Sequence, residues 1–493
     1  MCHRCLRRRR RHRTFRHSRP HQAALALLLL AAPPLTAPRV AAQVSPCHDF
    51  TAIDAAMTRM VATVAPNGAS VSIARATQPL FKQHYGGFDP STVARVASAT
   101  KWLSGAVLMS LVDSGALDLD VPVAQYLPQF TGLKGTITVR QMFSHTSGLP
   151  GDHPAAFATT LTLEQAVNAI ARTPLRTVPG TDFYYGNASM HVAGRVAEVV
   201  SGKDWATLFA ERIAMPLGMT STDYQGTGAP QNPLIAGGAR SSLADMANFV
   251  RMLANGGRFR GRQVLSAAAL DEMLRDQTGG VPVTFAPPTA PAVGGYGIGC
   301  WVERNGAQGR AVELSSPGAF GCTPWIDLER GTSGVMFVEA VQRQTDPTAD
   351  QIRAHARDEL RYVGVSCYGS SSPTCSGFAR AFTSDLPASG NAGFALRGRD
   401  APPTTLGLLI AGTAPALSPR RVFGVELHVA LDPGTVLLTV ASDGRGDVVV
   451  PAPLVGVPVG SAFFAQLVFG PQSGCPGPAP LVTTHGMGVR VQP

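Results

Sequence analysis

Hydrophobic spacing changes twice along these 493 residues, and the two changes limit the fold more than any single motif does. Ile53, Met57, Met60 and Val61 follow a helical period, and a strand follows around Val71 and Ile73. A mostly helical middle comes next. Its helices run through Leu103, Val107, Leu108, Leu111 and Val112 to a stop at Gly115, open at Thr162 with Gln165 placed for a capping box, and span Met190 to Val200 and Ser242 to Leu253, closed by Gly202 and Gly256-Gly257. From Tyr296 the spacing switches to short strands: Gly297 to Val302, Thr323 to Asp327 and Gly334 to Glu339, with Glu329-Arg330-Gly331 turning between the last two. A helix from Asp350 to Tyr362 ends this part. The order predicts an α+β unit in which an antiparallel sheet carries its N- and C-terminal helices on one face, with an all-helical lobe beside it and the active site between them. Residues 278–295, rich in Pro and Gly, read as a surface loop next to that cleft.

Past Gly364 the helical periods vanish. The runs Val422 to Val429, Thr435 to Val440, Asp447 to Val450 and Ala462 to Phe469 read as strands, and Asp443-Gly444-Arg445-Gly446 as a turn. This predicts a C-terminal all-β module, most simply a sandwich. The expected division is therefore a leader over 1–42, a main domain over 43–364 and the β module over 365–493.

The leader reading rests on an Arg-rich start, a short apolar run from Ala23 to Ala32, and Val40-Ala41-Ala42 suited to cleavage before Gln43. Ten apolar residues cannot cross a bilayer that needs about 20, so the expected product is secreted or periplasmic, with no membrane span. The leader also explains the charge. Residues 1–42 hold ten arginines and no acidic residue, so the formal +10 of the whole chain falls to 32 basic against 32 acidic side chains in the remainder, which gives no basis for a nucleic-acid partner. Six cysteines remain beyond the leader: Cys47, Cys300, Cys322, Cys367, Cys375 and Cys475. An even number in an exported chain predicts disulfides, with Cys300 to Cys322 the favoured pair. No Cys or His pair has metal-ligand spacing, and no metal or other cofactor is expected.

Ser98-Ala99-Thr100-Lys101 opens the helix that stops at Gly115. Residues three apart on a helix are neighbours, so the Lys101 amine reaches the Ser98 hydroxyl while the helix N-terminus offers backbone N–H groups to a developing oxyanion. Lysine is scarce: only Lys82, Lys101, Lys134 and Lys203 occur, which weighs against Lys101 as surface decoration. Tyr185-Gly186-Asn187 adds a second proton-handling side chain.

Taken in order, Ser98 and Lys101, Phe143 to Pro150, Pro179 to Asn187, Pro216-Leu217-Gly218-Met219 and Gly237-Gly238 before the Ser242 helix make residues 48–363 resemble the serine β-lactamase and penicillin-binding superfamily. The resemblance is to its class C-like branch, which includes family VIII-type esterases and D-peptidases. It implies a helix-flanked sheet with a helical lobe, and an acyl-enzyme on Ser98. Lys101 and Tyr185 then form a coupled pair, with Tyr185 the expected proton shuttle and Lys101 its electrostatic partner. Asn187 is expected to hold Lys101 and the acyl-side amide of a substrate. His145 reads as part of a hydrogen-bonded turn beside the cleft, not as a base.

The third motif departs from the family's Lys or His, variable residue, then Gly. Here it reads Ser316-Pro317-Gly318, followed by Ala319, so a neutral hydroxyl replaces the cation that often meets a substrate carboxylate. Alternation along a strand puts the N–H positions of Pro317 and Ala319 on one side, an unpaired edge where Pro is tolerated and where Ala319 joins Ser98 in an oxyanion hole. Ser316, Gly318 and Ala319 with Asn187 are thus the expected substrate-binding residues. The favoured function is an exported serine hydrolase of small esters or amides, esterase-like or peptidase-like. A β-lactamase or D-alanyl-D-alanine carboxypeptidase acting on cell-wall peptide is the alternative. A weakly catalytic scaffold with a surface-binding β module is the second.

Overall fold

The computed structural model describes residues 43–44, 48–291, 294–375, 377–470 and 480–493. The expected leader, its cleavage point, Cys47 and Cys475 lie outside the described residues.

The first helix, α1 (Thr51–Thr63), buries Ile53, Ala56, Met57 and Met60, the single apolar stripe its spacing predicts. Strands β1 (Gly68–Arg75) and β2 (Gln78–Gly86) follow, then α2 (Thr100–Asp113). The helical middle contributes α3 (Ala188–Ser201) and α4 (Leu243–Ala254), and the chain returns through β3 (Trp301–Asn305), β4 (Ala311–Ser315), β5 (Thr323–Asp327), β6 (Thr332–Val338) and α5 (Gln342–Glu359). These six strands form an antiparallel sheet in the order β2-β1-β6-β5-β4-β3, with Gln43–Val44 added beside β2. Ile53, Met57 and Met60 of α1 and Ala349, Ile352 and Ala356 of α5 share one core on one face of the sheet. Met246, Phe249 and Val250 of α4 pack against the other face in a second core that includes the helical lobe. Burying a side chain such as Phe249 is worth about 1.5–3 kcal/mol, so the sheet is held from both sides.

Helix α2 lies at the centre of that second core. Every residue from Thr100 to Leu111 is buried, including the charged Lys101. Two glycines permit the close fit: a Cβ on Gly105 would fall 2.3 Å from the Ile298 carbonyl oxygen, and one on Gly299 2.2 Å from that of Lys101. The predicted strand from Gly297 therefore begins only at Trp301, because Gly299 turns with a φ of +86° against α2. Helix α5 starts at Gln342, ahead of the predicted Asp350, and carries Pro347 inside it.

Cys300 and Cys322 are buried free thiols, which corrects the expected disulfide. Cys300 precedes β3 and Cys322 precedes β5, and β4 runs between those strands. Strands two apart are separated by about 10 Å, beyond the roughly 7 Å limit between Cα atoms that a disulfide bridges.

From Val365 the chain enters separate sheets, the all-β C-terminal module. Strands β7 (Val365–Tyr368), β8 (Leu406–Gly412), β9 (Val436–Ala441), β10 (Ala462–Phe469) and β11 (Gly486–Arg490) lie in the order β7-β11-β10-β8-β9. A three-stranded sheet of Arg380–Thr383, Ala395–Arg399 and Val448–Pro451 shares a core with it through Leu396, Val448, Leu409 and Leu467. The run read as one strand from Val422 is instead a hairpin, Pro415–Val422 with Val425–Val429, because Phe423 and Gly424 both take positive φ. Arg75 of β1 donates to the Leu360, Tyr362 and Val365 carbonyls, and Arg380 pairs with Asp49 at 3.0 Å, which ties the β module to the main sheet.

Candidate active site

Ser98 sits in a 3-10 turn, Ala97–Ala99, that runs directly into α2. Ala97, just before it, has a φ of +46°, a left-handed conformation that costs a non-glycine residue about 1–2 kcal/mol. The turn is pinned to the segment around Ala239: Val96 N–H donates to the Ala239 carbonyl at 3.1 Å, and Ala239 N–H donates to Thr100 Oγ1 at 3.1 Å. Lys101 Nζ donates to Ser98 Oγ at 3.2 Å, to Asn187 Oδ1 at 3.2 Å and to the Ala236 carbonyl at 2.9 Å. All its neighbours are neutral acceptors. Burial accordingly pulls the Lys101 amine down to about 7, with the negative charge of Asp152 acting the other way.

Tyr185 lies across from this turn with part of its surface open. Its ring stacks on Trp301 at 5.5 Å and 15°, meets His145 at 4.5 Å, and lies under Lys101 Nζ, 4.6 Å from the ring centroid. The surrounding rings push the phenol well above its ordinary range, and its hydrogen bond with Ser98 offsets only part of that push. Asn187 caps α3 and is held by two contacts: its Oδ1 accepts from Lys101, and its Nδ2 donates to Asp152 Oδ1 at 2.6 Å. One backbone contact makes this possible. Gly151 O accepts from both Asn187 N–H and Ala188 N–H, and a Cβ on Gly186 would fall 2.0 Å from that same oxygen. The glycine in Tyr-Gly-Asn is required for this approach.

His145 is buried with a φ of +60°, and neither ring nitrogen has a hydrogen-bond partner. Burial first, and the nearby Lys101 second, hold its imidazole well below the usual range, so it packs as a neutral ring among Tyr185, Phe183 and Tyr296.

The third segment runs alongside the Ser98 turn. Ser316 N–H donates to the Pro324 carbonyl and Gly318 N–H to that of Cys322, extending the β4–β5 ladder. The alternate positions, Pro317 and Ala319, thus face away from β5. Ala319 is exposed, and its N–H, like that of Ser98, has no hydrogen-bond acceptor among the described residues. A Cβ on Gly318 would lie 2.1 Å from the Val96 carbonyl oxygen, so glycine sets how close the two segments come. Ser316 is placed differently from the expectation of a substrate contact. Its hydroxyl is buried and directed at the backbone carbonyls of Ser98, 3.3 Å away, and Gly299, 3.2 Å away.

The structure therefore gathers Ser98, Lys101, Tyr185 and Asn187 into one hydrogen-bonded and stacked cluster, sets Gly318 and Ala319 beside it, and turns Ser316 inward. Asp152 and Trp301 belong to the same cluster and had no motif of their own. Asp152 follows Pro150-Gly151, just past the Phe143 to Pro150 segment, and Trp301 lies in a run whose spacing says only strand. A cavity of about 560 Å³ walled by Phe209, Met215, Met219 and Tyr224 touches none of these residues. Among the described residues, no group of three or more His, Cys, Asp or Glu side chains is placed to hold a metal ion.

An antiparallel sheet flanked by helices, with a serine and a buried lysine one helical turn apart at its edge, defines a serine hydrolase. The chain belongs to the Beta-lactamase family, whose pattern it matches over residues 53–358. A candidate β-lactamase from Bacteroides dorei DSM 17855 is similar in structure, with a TM-score of 0.59 and 32% identity over 64% of this chain and 99% of that one. EstCE1, a hydrolase with promiscuous acyltransferase activity, shares the fold at a TM-score of 0.52 and 20% identity, over 62% of this chain and 98% of that one. Among curated proteins, the D-alanyl-D-alanine-carboxypeptidase/endopeptidase AmpH of Escherichia coli K12 is 32% identical over 142 residues, 27% of this chain and 37% of its own. The chain thus spans little more than a third of that relative's length.

Proposed function

We propose that this protein is an exported hydrolase of small esters or amides that acts through an acyl-enzyme on Ser98, in an esterase-like or peptidase-like manner. The observation that carries the reading is the buried Lys101 amine, 3.2 Å from Ser98 Oγ and brought down to about 7 by its surroundings. In its neutral form it accepts the Ser98 proton as the oxygen attacks the substrate carbonyl. Tyr185, held protonated by burial, hands its proton to the leaving group and takes one back from the Lys101 ammonium, which leaves both groups neutral for the attack of water on the acyl-enzyme. This reverses the division of labour expected from the sequence. The free N–H groups of Ser98 and Ala319 form the oxyanion hole. Export rests on the Arg-rich, apolar leader over 1–42, and the disulfide-bonded state of Cys367 and Cys375 supports it.

A second reading, D-alanyl-D-alanine carboxypeptidase or β-lactamase, draws on the partial match to AmpH. Against it stands Ser316, which brings no cation and turns its hydroxyl to the backbone. Intact-mass spectrometry after a fluorophosphonate and, separately, a penicillin tests both readings. A fluorophosphonate adduct that Ser98→Ala abolishes, with neither a penicilloyl adduct nor penicillin hydrolysis, supports the first. A Ser98-dependent penicilloyl adduct or turnover supports the second. No adduct with either reagent rejects both.

A further inference from the structure

Asp152 adds a charged side chain to the Ser98, Lys101, Tyr185 and Asn187 cluster through its bond with Asn187. It is exposed, and it forms no ion pair with any described residue. Its Oδ1 accepts the Asn187 Nδ2 donor at 2.6 Å, which fixes the amide with its oxygen toward Lys101. The Asn187 side chain has two donors on Nδ2 and one acceptor oxygen; Lys101 takes the acceptor and Asp152 one donor, which leaves one Nδ2–H for a substrate carbonyl. Beside that donor the wall presents the exposed Asp152 carboxylate, an acceptor with a full negative charge.

The opposite wall agrees in sign. Where a cation would favour an anionic substrate, Ser316 offers a neutral hydroxyl already directed at the Ser98 and Gly299 carbonyls. Arg95, three residues before Ser98, is committed to Glu339. The acyl-side wall is thus negative and the facing wall is uncharged.

We infer that Asp152 is a specificity-determining residue that selects substrates carrying a protonated amine on the acyl side of the scissile bond, as in aminoacyl esters and amides. The inference rests on the serine-hydrolase reading above and names its substrate class. An ammonium meets Asp152 in a charge-assisted hydrogen bond, while an acylated amine keeps the donor but loses the charge. The Gly151–Gly186 contact holds Asp152 at a fixed distance from Asn187, so the acyl chain length that reaches it is a property of the site.

The test is pH-stat hydrolysis of the methyl esters of glycine, D- and L-alanine, β-alanine and 6-aminohexanoate, each against its N-acetyl form, with wild type, Asp152→Asn and Asp152→Glu. Wild type is expected to favour at least one free-amine ester ten-fold or more in kcat/KM. Asp152→Asn is expected to lower that ratio about ten-fold, and Asp152→Glu to restore part of it. A ratio near one in wild type, or a ratio unmoved in Asp152→Asn because both substrates lose equally, overturns the inference; the latter result makes Asp152 a positioning residue for Asn187. A Ser98-dependent fluorophosphonate adduct measured on the same samples separates the two levels. With the adduct present and no amine preference, the inference falls and the hydrolase reading stands. With neither adduct nor turnover, both fall.

Discussion

Lys101 Nζ lies 4.6 Å from the centroid of the Tyr185 ring, over its face, while donating to Ser98 Oγ at 3.2 Å. The π-face stabilises a cation, yet the buried site disfavours one, and burial is the larger effect at Lys101. A base must be unprotonated to act, so activity is expected to rise with pH through about 7. The pH profile of kcat/KM on a neutral ester checks this, and a profile flat between pH 5.5 and 8.5 would refute it. Lys101→Arg, permanently protonated, is expected to lose about 10²–10⁴-fold.

The same shift carries a stability signature. Because the folded-state value of Lys101 lies below the unfolded one, the unfolded chain binds more protons between about 7 and about 10.4. This contribution therefore makes stability rise with pH across that window. Lys101→Met removes the buried amine, and at pH 7 it is expected to raise stability by about 1–2 kcal/mol while abolishing turnover. Chemical denaturation of both proteins at pH 7 and pH 9.5 reads it out; a Lys101→Met protein less stable than wild type at pH 7 would contradict the account.

Tyr185 gives a test that separates donor from base. A protonated phenol that serves the leaving group matters most when that group is a poor one, such as an alkoxide, and least for p-nitrophenolate, which leaves without a proton. Tyr185→Phe is expected to slow an alkyl ester by about 10²–10³-fold and a p-nitrophenyl ester by roughly ten-fold or less. Equal losses on both would instead make Tyr185 the base for Ser98.

The parts of this arrangement that were legible in the sequence are those fixed by local chemistry. The Thr162–Gln165 capping box forms as spaced, Gly202 closes α3 in the left-handed region, and Thr323–Asp327 is a strand over those same residues. Ser98 and Lys101 were readable for the same reason, being one turn apart. Contacts between distant segments were not readable. Nothing local marks Gly151 as the partner of Gly186, so Asp152 stayed hidden although it stands two residues past a motif segment. Likewise Cys300 and Cys322 look like neighbours joined by a Gly-rich turn until β4 is seen to run between their strands. The protonation order of Lys101 and Tyr185 depends on Trp301, Tyr296 and His145 closing around them, which no spacing rule conveys.

Gly318→Ala tests how closely the third segment must approach Ser98. Its Cβ would meet the Val96 carbonyl oxygen at 2.1 Å, a backbone atom that can move only with the nucleophile turn or the Ser316–Ala319 segment. Either movement displaces one N–H of the oxyanion hole relative to the other. The expected outcome is a kcat lower by about 10²–10³-fold, as for loss of one oxyanion donor. A stability loss of about 1–3 kcal/mol is expected with it. Kinetics and thermal melts on the same preparation check both, and wild-type kcat would show that Ala319 takes no part in the hole.

His145 is the nearest candidate for an unassigned role in the chemistry, since it touches the Tyr185 ring and both of its nitrogens are buried without partners. A catalytic base needs an acceptor nitrogen aimed at the proton it removes, and a hydrogen bond orienting the other; His145 has neither. Its imidazole, kept neutral by burial, acts as a flat ring that backs Tyr185 against Trp301. Replacing unsatisfied polar atoms by apolar ones of similar size is close to neutral for stability. His145→Leu is therefore expected to keep kcat/KM within about ten-fold of wild type, the residual loss arising from a looser Tyr185. If turnover instead drops by three orders of magnitude while near-ultraviolet circular dichroism and the melting temperature stay put, His145 belongs in the proton path, and the pairing of Lys101 with Tyr185 is incomplete without it.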